Sequence, residues 1–260
     1  MYPGVCVARL VILALLWFPI ISSAEEARGN VSIAIGEWEP FISESYPHFG
    51  IIPHIISEIY KDANIEVTYG FFPWKRSYSQ VKDGKWNASA IWGRTPEREQ
   101  DCLYSDVVYT GEIVLFYRKE DRPITWNGNL QDLKGLSIGL PMGSAKAQPL
   151  QEAEARGLIV YDVSVDHVGI FKKLLAGRFD AVDENKAVGL YNLHTQFSNR
   201  EQDMVAFTAP LESWDYHVIF SRALPDNRKY RDLFNQGLQR MKQDGRFHQM
   251  WEAFYRGDYN

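Results

Sequence analysis

Cysteine is almost absent from this chain of 260 residues: only Cys6 and Cys102 occur. Cys6 stands ahead of an apolar run and not just behind one, which is the wrong place for lipid attachment. Cys102 then has no partner within the folded chain. A disulfide framework is excluded, and the fold must rest on its apolar core. Positive charge is also scarce, with 28 Lys and Arg against 33 Asp and Glu. An acidic chain repels phosphate backbones, so general nucleic-acid binding is not expected. Internal repeats and low-complexity tracts are missing. So are a Gly-x-Ser-x-Gly elbow, a His-x-x-x-His pair and a phosphate loop. The six histidines are scattered at 48, 54, 167, 194, 217 and 248, so no metal or cofactor is expected.

There is one long apolar run, Leu10 to Phe18, preceded by Arg9 and followed by the small residues Ser22-Ser23-Ala24. That is the layout of a secretory signal over residues 1–24, too short to span a bilayer comfortably. Its removal leaves 236 residues and a formal charge of −6, since Arg9 is the one charged residue lost. This length suffices for one large domain or two small lobes. Aromatic residues make up 14% of the chain and include eight Trp, several beside turn signals where a binding cleft could use them.

The remaining chain alternates short β-like runs with amphipathic stretches. Strands are expected at 31–35, 65–69, 88–92, 112–118, 136–140, 179–182, 204–207 and 216–221. Helices are expected at 51–62, from Pro73 to about Asp83, after Thr95, at 129–134, 144–156 and 165–176, and from about Lys186. Two more, parted at Asp244-Gly245, are expected near the C-terminus. Thr95 reads as a helix cap with Pro96 in the first turn and Glu97 near the positive end. Strands alternating with helices imply an α/β fold with largely parallel sheets.

Four stretches in a fixed order carry a resemblance. They are Glu37-Trp38-Glu39-Pro40-Phe41, then Thr95-Pro96-Glu97-Arg98 with Leu103-Tyr104-Ser105-Asp106. Next come Leu130-Gln131-Asp132-Leu133-Lys134-Gly135 before Ser137-Ile138-Gly139, and Gly177-Arg178-Phe179-Asp180-Ala181. Together they resemble the bacterial extracellular solute-binding proteins of family 3, the amino-acid ABC importer type. The resemblance implies a two-lobed periplasmic binding protein-like fold of type II, with parallel-rich sheets and two hinge-crossing strands near Glu112 and Asp215. Lobe 1 would comprise 27–112 and 214–260, and lobe 2 would comprise 113–213. The implied protein is a periplasmic monomer that closes on a small polar, carboxylate-bearing ligand. It would then dock on an ABC permease or a membrane sensor.

The resemblance also assigns candidate ligand contacts. Arg98 would pair with a carboxylate, for which a planar guanidinium fork is suited. Ser144, read as a helix start, would add a hydroxyl and a backbone N–H. Trp38, Trp74 and Trp92 would pack the ligand body, with Arg94 nearby in the turn between Trp92 and Arg98. Glu184 or Asn185, with Asp183 adjacent, stands where the family holds an α-amino group. Each has an ordinary alternative: a surface Arg, an N-cap, core Trp, or acids favoured at a helix start. Two departures stand out. Ala90-Ile91-Trp92-Gly93 carries few side-chain donors where the family has small polar residues, and His54 stands where an acid is common. The Phe72-Pro73-Trp74-Lys75-Arg76 run resembles a divergent branch. The rival is an enzyme on the same fold, like the periplasmic cyclohexadienyl dehydratases, with Glu184, Asp183 or His54 as acid–base groups.

Overall fold

The computed structural model describes residues 29–259 except 122 and 165, together with Met1 and Gly4. The expected signal segment 1–24 therefore lies, but for those two residues, outside the described part.

Nine strands and nine α-helices occur among the described residues. The strands are β1 (Asn30–Ile35), β2 (Glu66–Phe71), β3 (Ala88–Gly93), β4 (Cys102–Arg118), β5 (Ser137–Pro141), β6 (Val160–Ser164), β7 (Ala181–Asn185), β8 (Val205–Phe207) and β9 (Glu212–Ser221). The helices are α1 (Ile51–Lys61), α2 (Trp74–Lys82), α3 (Pro96–Asp101), α4 (Gln148–Ala155), α5 (His167–Leu175), α6 (Lys186–Gln196), α7 (Asn199–Asp203), α8 (Asn227–Gln243) and α9 (Arg246–Arg256). None of the described helices is long and apolar enough to cross a membrane.

The strands form one sheet in the order β2-β1-β3-β9-β4-β7-β5-β6, with β8 on β4. It is mixed, where the alternating pattern suggested a largely parallel one. β1 pairs in parallel with β2 and β3, and β5 with β6 and β7. Through the centre β9 runs antiparallel to β3 and β4, and β4 runs antiparallel to β7 and β8. The 17-residue strand β4 explains this arrangement. Its first half lies against β9, its second half against β7 and β8, and Thr110–Ile113 faces Asp215–Glu212 at the changeover.

Apolar side chains bury on both sides of that changeover. One cluster centres on Ile33, Ile55, Ile59, Phe220, Phe234 and Leu238, so that α1 and α8 cover the β1–β3–β9 sheet face. Two others, around Leu115, Ile138 and Leu150 and around Phe116, Phe171 and Phe179, are drawn from residues 113–211. Gly189 on α6 shows how tightly the last is packed: a Cβ there would lie 2.4 Å from the Phe116 ring. Gly189→Ala is expected to lower the melting temperature by about 5 °C through overpacking, measured by differential scanning calorimetry. Cys102 is fully buried, and burial pushes its thiol pKa up to about 12, as fits a structural thiol.

Several boundaries differ from expectation. β4 begins at Cys102, ten residues before the expected strand, because Leu103 and Tyr104 pair with β9 across a bulged register. β6 was not expected; it is an edge strand whose Val160 and Val163 are exposed, so it lacks a clean alternation. The helix expected from Ser144 starts at Gln148, since Gly143 at φ +90° turns the chain and Pro149 sits in the first helical turn. β7 runs to Asn185, so Asp183 and Glu184 are buried strand residues and not a helix start.

Candidate functional site

The site begins at a defect in β3. The register against β9 shifts between Ser89 and Trp92, and Ile91 there has φ +65°, a conformation that β-branched residues seldom adopt. Such strain is characteristic of ligand-binding positions. Past the bulge, Trp92 is buried and its indole N–H donates to Ser89 Oγ at 2.7 Å. Arg98 lies over the Trp92 ring, with its Cζ 4.6 Å from the centroid. Arg98 is aimed by the expected helix start: Thr95 Oγ1 accepts its backbone N–H at 3.3 Å, and Pro96 opens α3.

The guanidinium reaches across a gap. Nη1 donates to Gly93 O at 3.0 Å, and Nη2 donates to Gly143 O at 3.1 Å in the turn after β5. Gly143 is needed there for its φ of +90°, a conformation that side-chain-bearing residues rarely adopt. Burial lowers the Arg98 pKa from its usual value, which leaves the cation charged but poorly hydrated.

Between these walls lies a cavity of about 70 Å³. Arg98, Ser144, Trp38, Trp74, Trp92, Glu184 and Asn185 all line it. Arg94 does not. It pairs with Glu99 at 2.9 Å, lies over the Tyr104 ring, and borders an adjoining open groove. Ser144 is in the cavity wall but four residues ahead of α4, so it is not a helix cap. His54 lies elsewhere, stacked on His48 at 3.9 Å and hydrogen-bonded to Tyr259.

The floor is the end of β7. Asp183 is 3% exposed; its Oδ2 accepts Tyr161 Oη at 3.0 Å and the Ala147 N–H at 3.4 Å. Burial raises its pKa to about 7. Glu184 pairs with Nδ1 of His167 at the start of α5, and its Oε1 accepts the Asn185 N–H. Burial acts to lower the His167 pKa, but the Glu184 charge and hydrogen bond lift it above the ordinary value. Asn185 caps α6, accepting from Ala187 and Val188, while its Nδ2 donates to Tyr216 Oη at 3.4 Å.

His167, Trp214 and Tyr216 are lining residues that sequence reasoning missed. Trp214 and Tyr216 alternate on β9 at the strand expected to cross between lobes, which is the signal that could have found them. His167 follows Asp166, whose side chain caps α5, but nothing local links it to Glu184.

A chain with two apolar regions, a strand pair running between them and a polar, Trp-lined gap beside that pair has the build of a type II periplasmic binding protein. The chain belongs to the bacterial extracellular solute-binding proteins, family 3, whose family model matches residues 33–257. Among curated proteins it is similar to the arginine-binding extracellular protein ArtP of Bacillus subtilis (strain 168), 22% identical over 166 residues and 63% of this chain. The match spans 60% of that relative's length. Its fold is shared with an ancestral arginine-binding protein bound to arginine (20% identity, TM-score 0.72, 88% of this chain and 99% of that one). It is shared too with a histidine kinase sensor domain similar to periplasmic binding proteins (15% identity, TM-score 0.71, 86% of this chain and 95% of that one).

Proposed function

We propose that this protein is a secreted periplasmic binder that closes two lobes, 27–112 with 214–260 and 113–213, around a small carboxylate-bearing, amino-acid-like molecule and delivers it to an ABC importer. The observation that carries this reading is Arg98. It is a guanidinium fixed on an indole face at a cavity wall and hydrogen-bonded across the gap to Gly143 O. A planar fork with donors to spare is matched to a carboxylate. The apolar clusters on either side of the β4–β9 changeover support the lobe boundaries, and the names of the similar arginine-binding proteins support an amino-acid-like ligand. The Arg98–Gly143 and Tyr46–Tyr191 hydrogen bonds would then join the lobes in the closed state.

A thermal-shift screen of amino acids, polyamines and organic acids tests the reading. A ligand at a hundred times its dissociation constant should stabilise the folded protein by about 2.7 kcal/mol and raise the melting temperature by several degrees. Stabilisation only by compounds without a carboxylate would defeat it.

Asp183, buried with a pKa near neutrality, also favours a second reading: an enzyme on the same fold, with a carboxyl able to give or take a proton. Sustained formation of an aromatic product from prephenate or arogenate would establish that reading and displace the binder. A docking role on a membrane sensor is the third, supported by the shared fold of a kinase sensor domain.

A further inference from the structure

Helix α6 has apolar residues on two sides, and the two sides belong to different cores. Gly189 and Leu193, one turn apart, face the cluster around Phe116 and Phe171. Ala187 and Val188 join instead the cluster centred on Ile33, Ile55 and Phe220, whose other described members all come from 31–109 or 214–259. Val188 is 1% exposed. A helix that is apolar on two sides belongs between two packed bodies. α6 follows β7 in the expected second lobe, yet it buries part of its surface in the core of the first.

Polar contacts extend this junction. Tyr191, one turn on from Ala187 and Val188, shares a hydroxyl–hydroxyl hydrogen bond with Tyr46 in the segment before α1. The Tyr46 hydroxyl also hydrogen-bonds the Glu39 carboxylate, next to Trp38 in the cavity wall. At the start of the helix, the Asn185 carbonyl oxygen caps α6 while its Nδ2 reaches Tyr216 Oη on β9 at 3.4 Å. Asn185 is both the last residue of β7 and the cap of α6, so seating the helix also seats the β7 floor against the Trp38 wall. Val188 and Tyr191 do not line the cavity, so their contacts form independently of what it holds.

We infer that α6 is a clasp: Val188 and Tyr191 are positioning residues that draw the two lobes together before a ligand arrives. This rests on the lobe-closure reading above and names the element that drives it. Val188 supplies the apolar contact, and Tyr191 supplies a directional one that fixes where the helix lands. A binding-competent state that is already populated removes the conformational cost from ligand affinity. Breaking the clasp therefore weakens every ligand by the same factor, whatever its chemistry.

Small-angle X-ray scattering of the purified protein without added ligand tests this. The parent is expected to be as compact as the structure. Val188→Lys places a charge where the lobes meet and should increase the radius of gyration. Its melting temperature should stay within about 5 °C of the parent, because the opened helix gives the lysine to water. Tyr191→Phe removes one hydroxyl and should lower the closed-to-open ratio about two- to tenfold, read as a smaller expansion. Unchanged radii in both folded variants overturn the clasp. If Val188→Lys also melts more than about 10 °C below the parent, the contact is permanent core, and lobe closure falls with the clasp. If the parent is already more extended than the structure, the clasp alone falls and closure by ligand stands. Should Val188→Lys fail to fold, Tyr191→Phe decides alone, and an unchanged radius overturns the clasp.

Discussion

Arg98→Ala is expected to weaken binding of a carboxylate ligand by a hundredfold or more. Truncating one partner of a buried, hydrogen-bonded charge pair costs roughly 2–5 kcal/mol, mostly because the other charge is left desolvated and unpaired. The variant also loses the stacking on Trp92 and the bond to Gly143 O, so closure itself loses a contact. Arg98→Lys should recover little. A point charge on a flexible stem cannot span Gly93 O and Gly143 O while offering a two-donor edge to a carboxylate. Titration calorimetry of both variants measures this. A loss below about threefold in Arg98→Ala would remove the guanidinium from the binding machinery.

The second large effect is on stability. Folding raises the Asp183 pKa from an ordinary 3.8 to about 7, chiefly by burial and also through the Glu184 and Glu212 charges, against the hydrogen bonds from Tyr161 and Ala147. Between those two pH values the folded chain holds a proton that the unfolded chain releases. The stability associated with this group is therefore complete below about pH 4, is lost as pH rises through about 7, and changes no further above it. The loss is on the order of 4 kcal/mol by linkage. Asp183→Asn keeps the acceptor for Tyr161 and removes the charge, so at pH 8 it should melt about 5–10 °C above the parent protein. At pH 4 the two should melt together. His167 titrates in both proteins, so the difference between them isolates Asp183. A melting difference that does not vary with pH would show that the carboxyl is not held near neutrality.

The parts of this molecule that were legible in the sequence are those set by local chemistry. Thr95 and Pro96 announce a helix start through their own backbone and side-chain preferences, and that start aims Arg98. The apolar spacing from Ile51 and the Gly84 stop behave the same way. Ser144 was misread as a helix start because a cap signal was weighed without the left-handed turn at Gly143 just before it. The first half of β4 was missed because its pairing partner, β9, lies more than a hundred residues away. Distance in sequence also hid His167 beside the floor and Trp214 and Tyr216 on the side wall. His167 meets Glu184 only once β7 lies beside β5, and Tyr216 reaches Asn185 only because β4 seats between β7 and β9. Asp183 was read beside the expected amino-group contact, with an acid at a helix start as the ordinary alternative; its burial at the end of β7, which raises its pKa, is set by tertiary packing.

A crystal structure of the protein with its tightest-binding ligand puts the central claim at most direct risk. The expected density shows the ligand's carboxylate about 2.7–3.1 Å from the Arg98 guanidinium, between Trp92 and the Ser144 turn, with both walls closed on it. A ligand seated outside that gap, or one inside it with Arg98 still committed only to the Gly93 and Gly143 carbonyls, would contradict the claim.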